Sequence, residues 1–256
     1  MNSLTSTIIV ALAVMLGSGR AARAADPTAD QLLQQMSARL ASARTFSFKA
    51  TREIDAALLE GRDVPGKARI ALKVQRPNKL AGTSVSPAGT RRVVANGTTL
   101  SLLDQKANHY AAIPMRTNLD GLVERLDAQY GFVPPLAEFA SSNPYADLRR
   151  DAHTISYSGK AKTGGGFLGL GGVECHRISL AGKSADAELW IAVSDQLPRK
   201  LIATFRQEGR PQVRIDFTAW NLAAPVTSAD FTFTPPAGAD KIEMWTTAKM
   251  QSTRKK

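Results

Sequence analysis

Cysteine and histidine are scarce in this chain of 256 residues, which contains one Cys and three His. A single cysteine cannot form an intramolecular disulfide, so we expect Cys175 to be a small buried apolar residue. His109, His153 and His176 are far apart in the sequence and lack the spacing of metal ligands. Cys175 and His176 are neighbours, and neighbours on a strand point to opposite faces, so they cannot form a nucleophile–base pair. We therefore expect no metal, no cofactor and no enzymatic activity.

The chain also lacks an apolar run long enough to cross a membrane as a helix, which needs about 20 residues. The apolar run at residues 8–16 is short, and Ala22-Arg23-Ala24 fits the small-x-small pattern that signal peptidase recognises. Although residues 1–7 contain no Lys or Arg, this pattern predicts a signal peptide at residues 1–24, cleaved before Ala25. The mature protein is then periplasmic. No cysteine directly follows the run, since Cys175 is far downstream, so we expect no lipoprotein anchor.

Acidic residues are outnumbered, with 22 Asp and Glu against 33 Lys and Arg and a net charge of +11. Arg20 and Arg23 belong to the predicted signal peptide, so the remainder carries +9. Such an excess fits either an anionic partner or a solubilising surface, and both remain open. The dense basic run, Arg254-Lys255-Lys256, lies in a predicted C-terminal tail at residues 249–256. Nucleic-acid binding is disfavoured by the predicted secretion and by the lack of an aromatic–basic recognition motif.

Two helical segments and many strands are predicted from hydrophobic periodicity. Residues 26–43 form an amphipathic helix with a capping-box pair, Thr28 and Gln31. A second helical region begins at Asn118, continues past Pro134-Pro135 and ends near Leu148. Period-two alternation predicts strands around residues 46–49, 69–75, 92–95, 98–102 and 109–113, then at 152–159, 173–180, 186–193, 199–206 and 212–220. Asn96-Gly97, between two of these strands, is a strong hairpin signal.

Gly164, Gly166 and Gly169 match the G-x-G-x-x-G pattern of dinucleotide-binding proteins. That function requires a helix after the glycines, whereas a strand is predicted from residue 173. We therefore interpret the segment as a glycine-rich loop instead.

Several motifs in the second half occur in a family-specific order: Asn143-Pro144-Tyr145-Ala146, Val173-Glu174-Cys175-His176, Glu188-Leu189-Trp190-Ile191, Leu197-Pro198-Arg199-Lys200-Leu201, Trp220-Asn221-Leu222 and residues 231–239. They resemble the family of predicted periplasmic proteins called domain of unknown function 2092. That family is in turn similar to the lipoprotein-localisation carriers of the bacterial envelope (LolA/LolB-like). The resemblance covers about residues 27–244 and transfers no defined ligand residue.

The resemblance implies a mainly β (α+β) fold. The expected architecture is a curved, incompletely closed antiparallel β-barrel of about 10–11 strands, with an N-terminal helix and central helices covering its concave face. One carrier-like domain at residues 25–248 accounts for the whole mature chain, since we find no internal repeat, composition change or linker.

In the carrier superfamily an apolar cavity between sheet and helices holds acyl chains. We therefore expect a periplasmic binding or carrier protein for a lipid, a lipidated protein or a similar amphiphile. The alternative is an envelope protein–protein interaction or stress-sensing module without a lipid ligand. The candidate cavity residues are Leu33, Met36, Leu122, Leu126, Phe139 and Trp190.

Phe167, Leu168 and Leu170 add three large apolar side chains to the glycine-rich loop. Exposed apolar groups of this size are costly unless something covers them. One hypothesis is that they bind ligand or insert into a membrane surface or a partner's groove. The other is that the loop folds back over the mouth of the cavity.

Overall fold

The computed structural model describes residues 27–60, 64–131, 136–150, 152–165, 171–244 and 246–247. The predicted signal peptide and the basic tail lie outside the described residues. None of the helices in the described part of the chain is long and apolar enough to span a membrane.

The N-terminal helix α1 (Ala29–Ala41) begins at the predicted capping box. The Thr28 hydroxyl accepts a hydrogen bond from the Gln31 N–H, and the Gln31 side chain accepts one from the Thr28 N–H. These bonds satisfy backbone donors that a helix start otherwise leaves unpaired. The apolar stripe of α1 is buried: Leu32, Leu33, Met36 and Leu40.

Among the described residues, one sheet contains twelve strands, in the order β12-β6-β5-β4-β3-β2-β1-β11-β10-β9-β8-β7. The first six strands are β1 (Thr45–Ile54), β2 (Lys67–Gln75), β3 (Lys79–Ser86), β4 (Gly89–Ala95), β5 (Thr99–Asp104) and β6 (His109–Pro114). The other six are β7 (Ala152–Thr163), β8 (Val173–Gly182), β9 (Ala185–Ala192), β10 (Pro198–Phe205), β11 (Gln212–Asn221) and β12 (Asp240–Lys241).

The sheet is two meanders joined by the antiparallel pairing of β1 with β11. All neighbouring pairs are antiparallel except β12, which adds two residues in parallel to β6. The edges of the sheet are β7 and β12, so the described strands do not close into a complete barrel. The predicted fold class is confirmed, with twelve strands instead of 10–11.

The hairpin predicted at Asn96-Gly97 connects β4 to β5. The Asn96 side-chain oxygen accepts hydrogen bonds from the backbone N–H groups of Thr98 and Thr99, at 3.0 and 2.9 Å. Gly97 has a φ of +90°, which a residue with a side chain rarely adopts.

Three helices connect the two meanders: α2 (Leu119–Tyr130), α3 (Ala137–Ala140) and α4 (Pro144–Arg150). Asn118 caps α2, because its side-chain oxygen accepts a hydrogen bond from the Gly121 N–H, and Gly131 ends the helix in the left-handed conformation. Leu119, Leu122 and Leu126 form the buried stripe of α2. The helices therefore turn their apolar residues toward the core cluster that includes the inner side chains of the sheet.

Candidate functional site

A cavity of about 810 Å³ lies between α2 and the strands β2 to β6. Its volume is within the range of about 300–1,000 Å³ that small-molecule sites occupy. The helix side of the cavity is formed by Leu119, Leu122, Val123 and Leu126. The sheet side includes Ile70, Leu72, Leu80, Val93, Leu100, Leu102 and Ala111. These parts of the wall are thus aliphatic.

The register of the strands explains why these side chains share one face. One row of directly paired residues runs across four strands, from Phe48 of β1 through Leu72 of β2 and Gly82 of β3 to Val93 of β4. The same row continues through Leu102 to Ala111. Residues in directly opposed positions point to the same face of a sheet, so this row forms a continuous apolar strip across the concave side.

The cavity is confined to one half of the sheet, because large side chains fill the space over the other half. Phe139 of α3 contacts Phe217 edge to face, with ring centroids 5.2 Å apart. Phe217 stacks on Trp220 at 5.3 Å, and Phe48 lies 4.8 Å from Trp220. This aromatic cluster of Phe48, Phe139, Phe217 and Trp220 packs α3 onto β1 and β11. Over β2 to β6 the wall carries Gly82 and Ala111 instead.

Gly82 also allows two wall residues to approach the backbone of β3. A Cβ atom at this position would lie 2.8 Å from Cγ1 of Val93 and 3.1 Å from Cδ1 of Leu72. Such distances are shorter than van der Waals contact. A side chain at position 82 would therefore displace Leu72 and Val93, and glycine lets both pack close to the backbone of β3.

Charged and polar side chains occupy one end of the cavity. Arg91 and Asp104 face each other on β4 and β5 and form an ion pair with Nε and Oδ2 2.9 Å apart. Arg52 of β1 lines the same end, and only 7% of it is exposed. His109 and Glu243 line the cavity at exposed positions. The cavity therefore has an aliphatic interior and a charged rim.

The C-terminal segment closes one side of the cavity. Asp240 N–H donates to the Asn108 carbonyl at 2.9 Å, and Ile242 N–H donates to the Tyr110 carbonyl at 2.8 Å. The Asn108 side chain donates to the Gly238 carbonyl at 2.7 Å. These bonds hold Ile242, Glu243 and Met244 against the rim. Ile242 is 47% exposed, which places an apolar side chain at the entrance.

Two of the predicted cavity residues, Leu122 and Leu126, lie on the cavity wall. The other predicted residues lie elsewhere. Leu33 and Met36 are fully buried in the core cluster beneath α1, and Phe139 is fully buried in the aromatic cluster. These three side chains are part of the packed core and do not line the cavity.

Trp190 lies on the opposite face of the sheet from its buried neighbours Leu189 and Ile191. It stands beside Arg177 and Lys200, whose charged groups lie 5.5 and 5.4 Å from its rings. Its indole N–H donates to the Glu188 carboxylate. Trp190 is therefore part of a polar cluster on the convex face and is not among the residues that line this cavity, because alternation along β9 turns it away.

Phe167, Leu168 and Leu170 lie outside the described residues, so their proposed membrane or cavity contacts stay predictions.

Sequence reasoning missed Arg52 and Arg91, although a signal for Arg52 exists. Phe46, Phe48 and Ala50 alternate along β1 and are all buried. Arg52 continues the same alternation, so its guanidinium belongs to an apolar face. A charged residue in such a position is rarely buried unless it has a partner or a function.

A metal centre finds no support among the residues that the structure describes, where no three His, Cys, Asp or Glu side chains are grouped closely enough to hold an ion. Burial lowers the pKa of Arg52, and the charge of Arg91 lowers it further. Arginine nevertheless stays protonated in proteins. The site therefore offers an apolar surface with a permanent positive charge beside it.

Solved structures similar to this chain have low sequence identity to it. An uncharacterized conserved protein from Thermus thermophilus is 10% identical, over 83% of this chain and 99% of its own, with a TM-score of 0.49. A LolA superfamily protein from Nitrosomonas europaea is 12% identical, over 78% and 97%, with a TM-score of 0.37. A chain of the Pseudomonas aeruginosa MucA/MucB complex is 14% identical, over 78% and 61%, with a TM-score of 0.40.

Among curated protein sequences, none matches this chain significantly. Family membership is clear, because one family matches residues 29–245, which include every described helix and strand. The chain belongs to the family described as predicted periplasmic protein (DUF2092).

Proposed function

We propose that this protein is a periplasmic carrier or binding protein that holds an apolar or amphiphilic ligand in the cavity between α2 and the sheet. The observation that carries the proposal is the cavity of about 810 Å³ with aliphatic walls. At about 30 Å³ per molecule, it would hold on the order of 27 waters. Few of them would find hydrogen-bond partners on such walls, so an apolar ligand is the better occupant.

The expected affinity follows from the hydrophobic effect. Each methylene group transferred from water into the cavity contributes about 0.8 kcal/mol. A chain of about ten methylenes would contribute roughly 8 kcal/mol, from which the entropy lost on association is subtracted. This corresponds to a Kd in the micromolar range or weaker unless a headgroup adds contacts.

The proposal is tested by purifying the protein from the periplasm without detergent and recording native mass spectra. We expect a bound species that organic extraction removes and that is identified as a lipid or lipidated peptide. A protein that is empty under several gentle purification conditions, and that binds no apolar probe afterwards, would contradict it.

A protein partner is the second candidate, and the edge strand β7 favours it. β7 is twelve residues long, lies at the edge of the sheet and contains only exposed and half-buried residues. An exposed edge of this length can pair with an added strand from another chain. Crosslinking in cells separates the candidates, since a single dominant protein adduct without co-purified lipid favours the partner.

A further inference from the structure

Arg52 is a buried cation on the cavity wall. It is 7% exposed, and one of its N–H groups, at Nη2, donates to the Pro65 carbonyl at 3.1 Å. Its Nε atom is buried and has no hydrogen-bond partner among the described residues. A buried donor without a partner is destabilising, and more so when the group is charged. The protein without ligand therefore keeps an unfavourable group at this point.

The charges around Arg52 do not neutralise it. Within the described ranges, no carboxylate lies within ion-pair distance of its guanidinium. Arg91 is near enough that its charge lowers the pKa of Arg52. Asp104 pairs with Arg91. Arg52 thus keeps a buried positive charge without an ion-pair partner in the described part of the chain.

We infer that the ligand is an amphiphile with an anionic headgroup, a carboxylate or a phosphate, which accepts hydrogen bonds from Arg52 inside the cavity. The alkyl chain then lies along the apolar strip that contains Leu72, Val93 and Leu102. Arg52 lines the cavity and has no carboxylate partner among the described residues, so an anion there supplies its counter-charge, and charge-assisted bonds of this kind are about twice as strong as neutral ones. An uncharged lipid of the same length leaves the Arg52 guanidinium without a counter-charge. This inference rests on the proposed function, because it names the ligand class of the same cavity.

The experiment compares three ligands that share one chain: dodecanoate, dodecyl phosphate and dodecanol. Each displaces the neutral fluorophore N-phenyl-1-naphthylamine from the wild-type protein, from Arg52→Met and from Arg69→Met. Methionine keeps most of the volume of the arginine stem without its charge. Arg69 is the matched control, because it lies on β2 beside the buried Ala68 but is exposed on the opposite face.

In the wild type we expect at least one of the two anions to bind about 10- to 100-fold more tightly than dodecanol, the range of a hydrogen bond to a charged group. Arg52→Met should reduce this preference to about threefold or less, while Arg69→Met retains it. Fluorophore binding should be similar in all three proteins, which shows that the cavity is intact. The anion with the lower Kd identifies the headgroup.

Equal affinity for dodecanol and both anions in the wild type would overturn the inference and leave the proposed function standing. An anion preference that survives in Arg52→Met would overturn the role of Arg52. Failure of the fluorophore and of all three ligands to bind the wild type would instead contradict the proposed function itself.

Discussion

The guanidinium of Arg76 donates from Nη1 to the carbonyl oxygen of Ala140 at 2.8 Å, which joins the end of β2 to the end of α3. Its Nη2 lies 3.5 Å from the Leu40 carbonyl, near the end of α1. The same group lies over the Phe46 ring, 5.5 Å from its centroid. Carbonyl groups at helix C-termini lack partners within the helix and carry partial negative charge. One arginine therefore attaches two of the covering helices to the sheet.

Replacing Arg76 with methionine should lower the free energy of unfolding by about 2 kcal/mol, because two buried carbonyls lose a charged donor. The loss is moderated because burial already disfavours the charge and lowers the pKa of Arg76. Urea unfolding followed by circular dichroism measures the change. Arg44→Met is the matched control, since Arg44 is exposed on the neighbouring turn. An equal effect of both variants would show that the helix attachment contributes nothing.

Glu138 of α3 makes the stability of the protein depend on pH. Burial, and to a smaller extent the negative charge of nearby Asp147, raise the pKa of Glu138 to about 7. Because this pKa is above the unfolded value of about 4.3, the folded state binds more protons between these pH values. The contribution of Glu138 to stability is therefore fully present while its carboxyl is protonated in both states, and it is lost as pH rises from about 4.3 through about 7.

The Glu138→Gln variant should be more stable than the wild type by roughly 3.5 kcal/mol near pH 8 and about equally stable near pH 4. Thermal unfolding at several pH values measures the difference. Glu124→Gln, at an exposed position on α2, should follow the wild type at every pH. A parallel shift of Glu138→Gln at all pH values would mean that packing, and not titration, causes the gain.

The strands were largely predictable, because alternation is set locally and most strands have one buried face. The five strands of the second half lie where period-two patterns placed them. β3 was missed, since Gly82, Thr83 and Ser84 interrupt any apolar alternation in its sequence. Its extended conformation is fixed by pairing with β2 on one side and β4 on the other. β12 has two residues and depends entirely on β6.

The cavity was less predictable, because apolar periodicity identifies buried faces without showing what each face meets. Met36 and Leu126 belong to similar helical stripes. Both side chains are buried, but Leu126 borders the cavity and Met36 does not, and the distance between helix and sheet decides which. Leu189, Trp190 and Ile191 are all apolar, so the sequence does not show whether Trp190 or its two neighbours face the core. Leu189 pairs with the buried Ile178 and Leu201, which places Leu189 and Ile191 on the core side and Trp190 on the other.

Cys175 is expected to be chemically inert in the folded protein. It is 0% exposed, and burial raises the pKa of its thiol to about 11. Near pH 8 only about 0.1% of the thiol is ionised at such a pKa, and the thiolate is the reactive form. A disulfide reagent such as 5,5′-dithiobis(2-nitrobenzoic acid) should therefore label the native protein very slowly and the urea-unfolded protein rapidly. Rapid labelling without denaturant would place Cys175 in a segment that opens readily.

Filling the cavity should abolish ligand binding without unfolding the protein. Ala111 lies on the apolar strip of β6 and lines the cavity, whereas Ala112 next to it is opposite Ser101 on the other face. We expect Ala111→Phe to weaken binding of N-phenyl-1-naphthylamine by at least about tenfold, because the added ring occupies the space of several methylenes at about 0.8 kcal/mol each. Ala112→Phe adds the same ring one position away and should bind the fluorophore like the wild type. Thermal unfolding should show both variants folded, since Ala111→Phe fills existing space and does not overpack the core. Equal binding by Ala111→Phe and the wild type would place the ligand outside this cavity.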